Sequence, residues 1–132
     1  MDKKLLVAAV SAMNRSYSPY SHFKVGAALL TKNGKIYTGC NIENASYSMT
    51  VCAERTALFE AIKSGERDFD SICIIGGKNG QINDYCYPCG ACRQVLSEFC
   101  SDDFKIILFN GNGFKHITLG ELFPHSFGGD VL

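Results

Sequence analysis

Leu5, Ala9 and Met13, with Leu6 and Val10 beside them, recur at the spacing of one helical face, and the pattern stops at the turn-forming run Ser16-Tyr17-Ser18-Pro19-Tyr20-Ser21. The period then shortens. Lys24 to Thr31 and Lys35 to Cys40 read as strands around Asn33-Gly34, a strong signal for a tight antiparallel hairpin. Ala53, Ala57, Leu58, Ala61 and Ile62 restore helical spacing as far as Lys63, where Ser64-Gly65 supplies a stop. Ser71-Ile72-Cys73-Ile74-Ile75 is unbroken and apolar, the pattern of a strand buried on both faces. Ala91, Val95, Leu96 and Phe99 predict a helix from Cys89, with Pro88 suited to its start. Phe104 to Phe109 is again an apolar strand, and a helix between two such strands predicts a right-handed crossover and a parallel sheet centre. Asn110-Gly111-Asn112-Gly113 is too short for another crossover, so Phe114 to Thr118 is expected to return antiparallel as an edge strand before a short helix over Leu119–Phe123. The order predicts an α/β fold: a three-layer α/β/α sandwich with a five-stranded mixed sheet.

With 132 residues, 46% of them hydrophobic, and no repeat, linker or low-complexity stretch, residues 1–132 are expected to form one domain able to bury an adequate core. Thirteen basic and thirteen acidic residues cancel, the sequence pI is about 6.8, and no Lys- or Arg-rich run appears. Nucleic acid and membrane surfaces are therefore not the expected partners. Met1-Asp2-Lys3-Lys4-Leu5-Leu6 leads straight into the amphipathic pattern, with neither a signal-peptide core nor a membrane span, which predicts a cytoplasmic protein. Seven cysteines in such a chain point to metal or buried thiols in place of disulfides. Cys40, Cys73 and Cys100 sit in strand-like segments or at a helix end and read as small core residues.

The remaining cysteines carry the chemistry. Cys52-Ala53-Glu54 and Pro88-Cys89-Gly90-Ala91-Cys92 supply three thiols and a carboxylate, each group in a first helical turn. A catalytic zinc takes three protein ligands and leaves its fourth position to water, which suits three cysteines and an acid that is not a ligand. Helical side chains tilt toward the N-terminus, so Cys52 and Glu54 can both reach a point just off the helix end, where the partial positive charge favours thiolates. Taken alone, Cys89-x-x-Cys92 is also a redox motif, and Cys86, Cys89 and Cys92 mimic part of a ferredoxin run, although Leu96 occupies the position of its next cysteine. Both motifs together, in this order and each opening a helix, favour the zinc-deaminase arrangement. His22, His116 and His125 lack a partner motif.

Through Ser18-Pro19-Tyr20-Ser21-His22-Phe23-Lys24-Val25-Gly26-Ala27-Ala28-Leu29, Asn41-Ile42-Glu43-Asn44-Ala45, Cys52-Ala53-Glu54-Arg55-Thr56-Ala57 and Pro88-Cys89-Gly90-Ala91-Cys92-Arg93-Gln94, the chain resembles the small homotetrameric cytidine deaminases over nearly its whole length. The resemblance implies zinc-dependent hydrolytic deamination of cytidine and deoxycytidine to uridine and deoxyuridine plus ammonia, in pyrimidine salvage. It implies one zinc per chain on Cys52, Cys89 and Cys92, Cys52 standing where other deaminases have histidine. Glu54 would take the proton of the activated water and deliver protons to the ring nitrogen and the leaving amino group. Three thiolates leave a net negative site, and the resemblance implies that Arg55 offsets it by hydrogen bonding to ligand sulfur. It also implies Asn41 and Glu43 at the ribose hydroxyls, Phe23 beside the pyrimidine and Ala53 backbone near the base. Alternation places Asn41 and Glu43 on one side, with Ile42 opposite. Tyr47 and Phe127 match aromatic positions that approach the site from neighbouring subunits, so the implied assembly is a homotetramer with shared sites. Arg93 reads as structural. A deaminase of another aminopyrimidine nucleoside or nucleotide remains an alternative, as does a non-catalytic cysteine-rich metal or iron–sulfur module. Glu43, as a like charge to phosphate, favours nucleosides.

Overall fold

The computed structural model describes the whole chain, Met1–Leu132. Its elements are α1 (Asp2–Met13), β1 (Phe23–Thr31), β2 (Ile36–Cys40), α2 (Ala53–Lys63), β3 (Phe69–Lys78), α3 (Gly90–Phe99), β4 (Lys105–Phe109), β5 (Phe114–Thr118) and α4 (Leu119–Leu122), with single 3₁₀ turns at Tyr47–Met49 and Gly129–Val131. The five strands form one mixed sheet in the order β2-β1-β3-β4-β5. Parallel pairing is confined to β3 and β4; β1 lies antiparallel to both β2 and β3, and β5 returns antiparallel along β4 as the edge. The expected parallel centre is thus a single pair. The hairpin places β1 between β2 and β3, so α2 passes over β1 to link two strands that point the same way.

Local signals explain the boundaries. Gly34 has φ 89°, the left-handed residue that closes the Thr31–Lys35 turn. Gly65, at φ 94°, ends α2: its N–H bonds to the Ile62 carbonyl while Glu66 N–H reaches Ala61, a paired closure that satisfies the last carbonyls. β3 is longer than the apolar run predicts. It continues through Gly76-Gly77, where side chains would not fit: a Cβ on Gly77 would lie 1.7 Å from the Gln81 carbonyl oxygen. Pro88 stands immediately before the N-cap Cys89, at the start of α3.

Two apolar clusters flank the sheet. Leu5, Ala9 and Met13 of α1 close over Ala28, Cys73, Ile75 and Ile107 on one face. On the other, Ala57, Leu58 and Ala61 of α2 and Leu96 of α3 cover Leu29, Ile72, Ile74, Ile106 and Leu108. β3 feeds both clusters, which accounts for its unbroken apolar sequence. Each fully buried Leu or Ile contributes ~1.5–3 kcal/mol of transfer free energy. The helices approach closely. A Cβ on Gly26 would sit 2.1 Å from the Ala9 carbonyl oxygen, and one on Gly39 would sit 2.3 Å from the Ala57 nitrogen. α1 and α2 therefore grip opposite faces of the β1–β2 hairpin. The N-termini of α2 and α3 both emerge at the carboxyl ends of β2 and β3, the end of an α/β sheet where ligands bind.

Candidate active site

Cys52 is the N-cap of α2 and Cys89 the N-cap of α3, and neither side chain caps the backbone N–H groups of its own helix. Their sulfurs are left to point into the gap between the helix ends, toward Cys92 one turn into α3. The Sγ atoms of Cys52 and Cys89 are 3.8 Å apart, those of Cys89 and Cys92 3.5 Å apart, and all three lie within 4.8 Å of one another. A tetrahedral zinc with metal–sulfur bonds of ~2.3 Å needs sulfur–sulfur edges of ~3.8 Å, and the two edges through Cys89 already lie close to that length. Cys92 is fully buried, Cys52 half-buried and Cys89 exposed, which leaves one side of the cluster open.

The charges suit a dication. In the metal-free chain the Cys52 thiol is lowered to about 5, chiefly by the hydrogen bond from Cys92, against burial, with Arg55 and Cys89 assisting. Cys92, as its donor, is shifted upward, with burial adding to that shift. One thiolate is thus stabilised by its neighbours' protons, which a metal ion displaces on binding. Arg55 Nη2 donates to Cys52 Sγ at 3.3 Å. Its Nε is buried without any partner, so the guanidinium is held in the site by sulfur and not by solvent.

Glu54 follows the cap and is only 4% exposed. Burial pushes its carboxyl up to about 7, with the negative Cys52 adding and Cys92 and Arg55 opposing. A carboxyl near neutrality beside a metal-ligand cluster can both accept and release a proton. Ala53, between cap and acid, is fully buried.

Asn41 and Glu43 leave β2 on one side and Ile42 on the other: the two polar residues are 8% and 6% exposed, Ile42 47%. Both are already engaged. Asn41 Oδ1 accepts from Val25 N at 2.9 Å and from the Ser16 hydroxyl, while its Nδ2 donates to the Phe23 carbonyl at 2.8 Å. Glu43 accepts from Tyr20 N at 2.9 Å, from Ser21 N at 3.2 Å and from the Ser21 hydroxyl. These bonds, the Ser21 hydroxyl first, hold its carboxyl below the usual range. Each side chain still has unused capacity, one N–H on Asn41 and carboxylate lone pairs on Glu43. Ser16 and Ser21, read from sequence only as turn formers, are the residues that orient this pair.

Phe23 is 40% exposed. Its ring edge and Cys86 Sγ both close on Gly76, 3.1 and 3.0 Å from where a Cβ would stand. A cleft of about 180 Å³ opens there between Phe23, Lys78, Asp84 and Cys86. Cys86 is not among the clustered thiols; burial, with the charges of Glu54 and Cys52, pushes it up to about 12. Tyr47 and Phe127 stand apart. Both are 61% exposed, and neither makes a hydrogen bond or ring contact with the thiols; Tyr47 meets Tyr20 edge-on, and the Phe127 carbonyl accepts from Gln94 on α3 at 3.3 Å. Arg93 is structural, its Nε donating to the Pro88 carbonyl at 2.8 Å and its Nη1 to Leu122 at 2.6 Å. His116 pairs with Asp2 at 2.6 Å, far from this site. A cavity of about 480 Å³ also lies away, at the amino ends of β3 and β4 between Leu5, Asp70, Lys105 and His116.

The family model for the cytidine and deoxycytidylate deaminase zinc-binding region matches residues 1–108. Among curated proteins, the chain is 45% identical over 126 residues to a cytidine deaminase of Sporosarcina psychrophila, covering 95% of this chain and 90% of that one. It is 47% identical over 129 residues to a cytidine deaminase of Halalkalibacterium halodurans, covering 96% and 95%. Among solved structures, the crystal structure of cytidine deaminase from Burkholderia pseudomallei superposes with a TM-score of 0.89 at 43% identity, covering 96% of this chain and 99% of that one.

Proposed function

The chain belongs to the cytidine and deoxycytidylate deaminase family, and from that premise we propose that it hydrolyses cytidine and deoxycytidine to uridine and deoxyuridine with release of ammonia. The observation that carries this reading is a sulfur triangle of zinc dimensions with a buried carboxyl beside it. Cys52, Cys89 and Cys92 hold one zinc per chain. Zinc when bound supplies Lewis acidity that brings the pKa of water to about 7.

Every other step falls to the protein. Glu54 takes one proton from the water that attacks the amino-bearing carbon and gives it to the ring nitrogen, then takes the proton left on the added hydroxyl and gives it to the departing amino group as the carbonyl forms. Its carboxyl needs to be neither a strong nor a weak acid for that double duty, and burial puts it near neutrality. Arg55 offsets the excess negative charge of three thiolates. Asn41 and Glu43 bind the ribose hydroxyls, Phe23 flanks the pyrimidine, and the Ala53 backbone meets the base.

Tyr47 and Phe127, exposed in one chain, are suited to cover the site of a neighbouring subunit. We read the assembly as a homotetramer with shared sites, residues 1–132 acting as one catalytic unit in cytoplasmic pyrimidine salvage. No helix is long and apolar enough to cross a membrane. Metal analysis combined with an ammonia-release assay on cytidine, deoxycytidine, CMP and adenosine tests the proposal. One zinc per chain with turnover of the first two substrates is expected; an iron–sulfur chromophore, or turnover of adenosine alone, would overturn it.

A further inference from the structure

Cys89 reaches the thiol cluster at the end of an unusual stretch of chain. From Ile82 to Pro88 the backbone makes no backbone–backbone hydrogen bond; the last such bond before it is donated by Gln81 and the next after it by Arg93. The path that delivers a metal ligand is therefore held by side chains alone. Ile82 packs against the apolar cluster beneath α1, as do Phe109 and Phe114. At the far end, Arg93 ties the Pro88 carbonyl from within α3. Between them the one polar anchor is Lys115, on the edge strand β5. Its Nζ donates to the Tyr87 hydroxyl at 2.7 Å. The same ammonium lies 5.6 Å from the centre of the Tyr85 ring, within the range of attraction to an aromatic face, while its 5.3 Å to the centre of Tyr87 places it at that ring's hydroxyl edge. The two rings meet edge to face, 6.4 Å apart.

We propose that Lys115 is a positioning residue for the metal site: by gathering Tyr85 and Tyr87 it fixes the approach to Cys89, and so keeps that sulfur in register with Cys52 and Cys92. This rests on the reading of those three cysteines as the zinc ligands. Cys89 is the exposed member of the triangle, hence the one whose departure would begin metal loss. Lys115 touches neither substrate nor metal, and its influence passes through two rings and one proline.

The test is the rate at which the zinc-loaded protein gives up its metal to a chromogenic chelator, well below the melting temperature, in the wild type, Lys115→Met, Lys115→Arg and Tyr37→Phe. Tyr37→Phe is the stability control, since it deletes a 2.9 Å hydrogen bond to Glu66 at the opposite end of the sheet. Lys115→Met is expected to release zinc roughly three- to tenfold faster. Lys115→Arg, which keeps both the donor to Tyr87 and the cation by Tyr85, should stay close to wild type. Tyr37→Phe should leave release unchanged even where it lowers the melting temperature as much. Release from Lys115→Met no faster than from Tyr37→Phe, or failure of Lys115→Arg to restore the wild-type rate, would overturn the positioning role alone. A wild type that binds no zinc would overturn the ligand reading and this inference with it.

Discussion

The two sides of the site are built differently. The reactive side, with Cys52, Ala53, Glu54 and Cys92, stands on the first turns of two helices, and its members are buried or bonded to one another. The aromatic residues proposed to meet the substrate, Phe23, Tyr47 and Phe127, are 40–61% exposed and stand on a strand end, a 3₁₀ turn and the C-terminal tail. On the proposed reading, each chain brings its thiols and Glu54 together by itself but leaves these aromatics open. A base held only by such open aromatics would remain wet, and exclusion of water is what strengthens the electrostatics of a site. The difference supports the proposed shared site, in which a second surface would close the aromatic side, whereas the sulfurs and Glu54 are brought together within the chain.

The sharpest break in that comparison is chemical. Glu54→Gln is expected to keep fold and zinc but lose about 10³-fold or more in kcat, because the attacking water loses its base and the leaving group its acid. Near-normal turnover in steady-state assays would remove Glu54 from the mechanism. Cys89→Ser should lose both stoichiometric zinc and activity, while Cys86→Ser, outside the sulfur triangle, should keep stoichiometric zinc and most activity. If metal analysis finds the two alike, the ligand set is wrong.

Why the thiol cluster is legible in sequence, and so little of its support, follows from where the constraints lie. Ligand spacing is local: Cys52 with Glu54, and Cys89 with Cys92, each fall within a single helical turn. The hairpin and the β4–β5 return are local too, fixed by Gly34 and by a link too short for a crossover. The length of β3 was not legible, because Gly76-Gly77 resembles a strand break yet exists to admit Phe23, Cys86 and the Gln81 turn against the sheet. Ser16, Ser21, Tyr85, Tyr87 and Lys115 escaped notice for a related reason: their partners lie far along the chain or act through backbone groups, and no residue pattern announces such pairs. Asn41 and Glu43 were correctly expected to share a side, since alternation is itself a local rule.

On the recognition side, substrate choice gives the next largest effect. Glu43 sits in a nearly dry turn, and a phosphate brought to it is a like charge that costs roughly 3 kcal/mol, or about a hundredfold in kcat/KM. Cytidine and deoxycytidine should both turn over, with CMP and dCMP at least that much slower. Equal specificity constants for cytidine and CMP would move the protein to nucleotide chemistry. Below that comes the aromatic side. Phe127→Ala should lose roughly tenfold in kcat/KM, near the ~1.5 kcal/mol of a good aromatic contact. Mixing Phe127→Ala with Glu54→Gln subunits should restore activity, since mixed assemblies contain sites with both parts intact. Absence of rescue, with subunit exchange demonstrated, would mean that Phe127 serves its own chain.

The smallest effect concerns whether the sugar-binding residues are assembled before any substrate arrives. The Glu43 carboxyl is held below its ordinary range by the Ser21 hydroxyl and by the N–H groups of Tyr20 and Ser21. Folding therefore favours the ionised form, and the group adds stability that is fully present above its unfolded pKa of about 4.3 and is lost as pH falls through the lower folded value. Replacing it by glutamine removes that linkage while nearly preserving size. Wild type should melt a few degrees above Glu43→Gln at pH 7, and the gap should narrow once the pH falls below about 4. Loss of zinc in acid affects both proteins alike and cancels in the difference. A gap that stays constant from pH 7 to pH 3.5 in parallel melting curves would mean that the carboxylate is not what orders the Tyr20–Ser21 turn, and the polar pair would then have to be organised by the substrate.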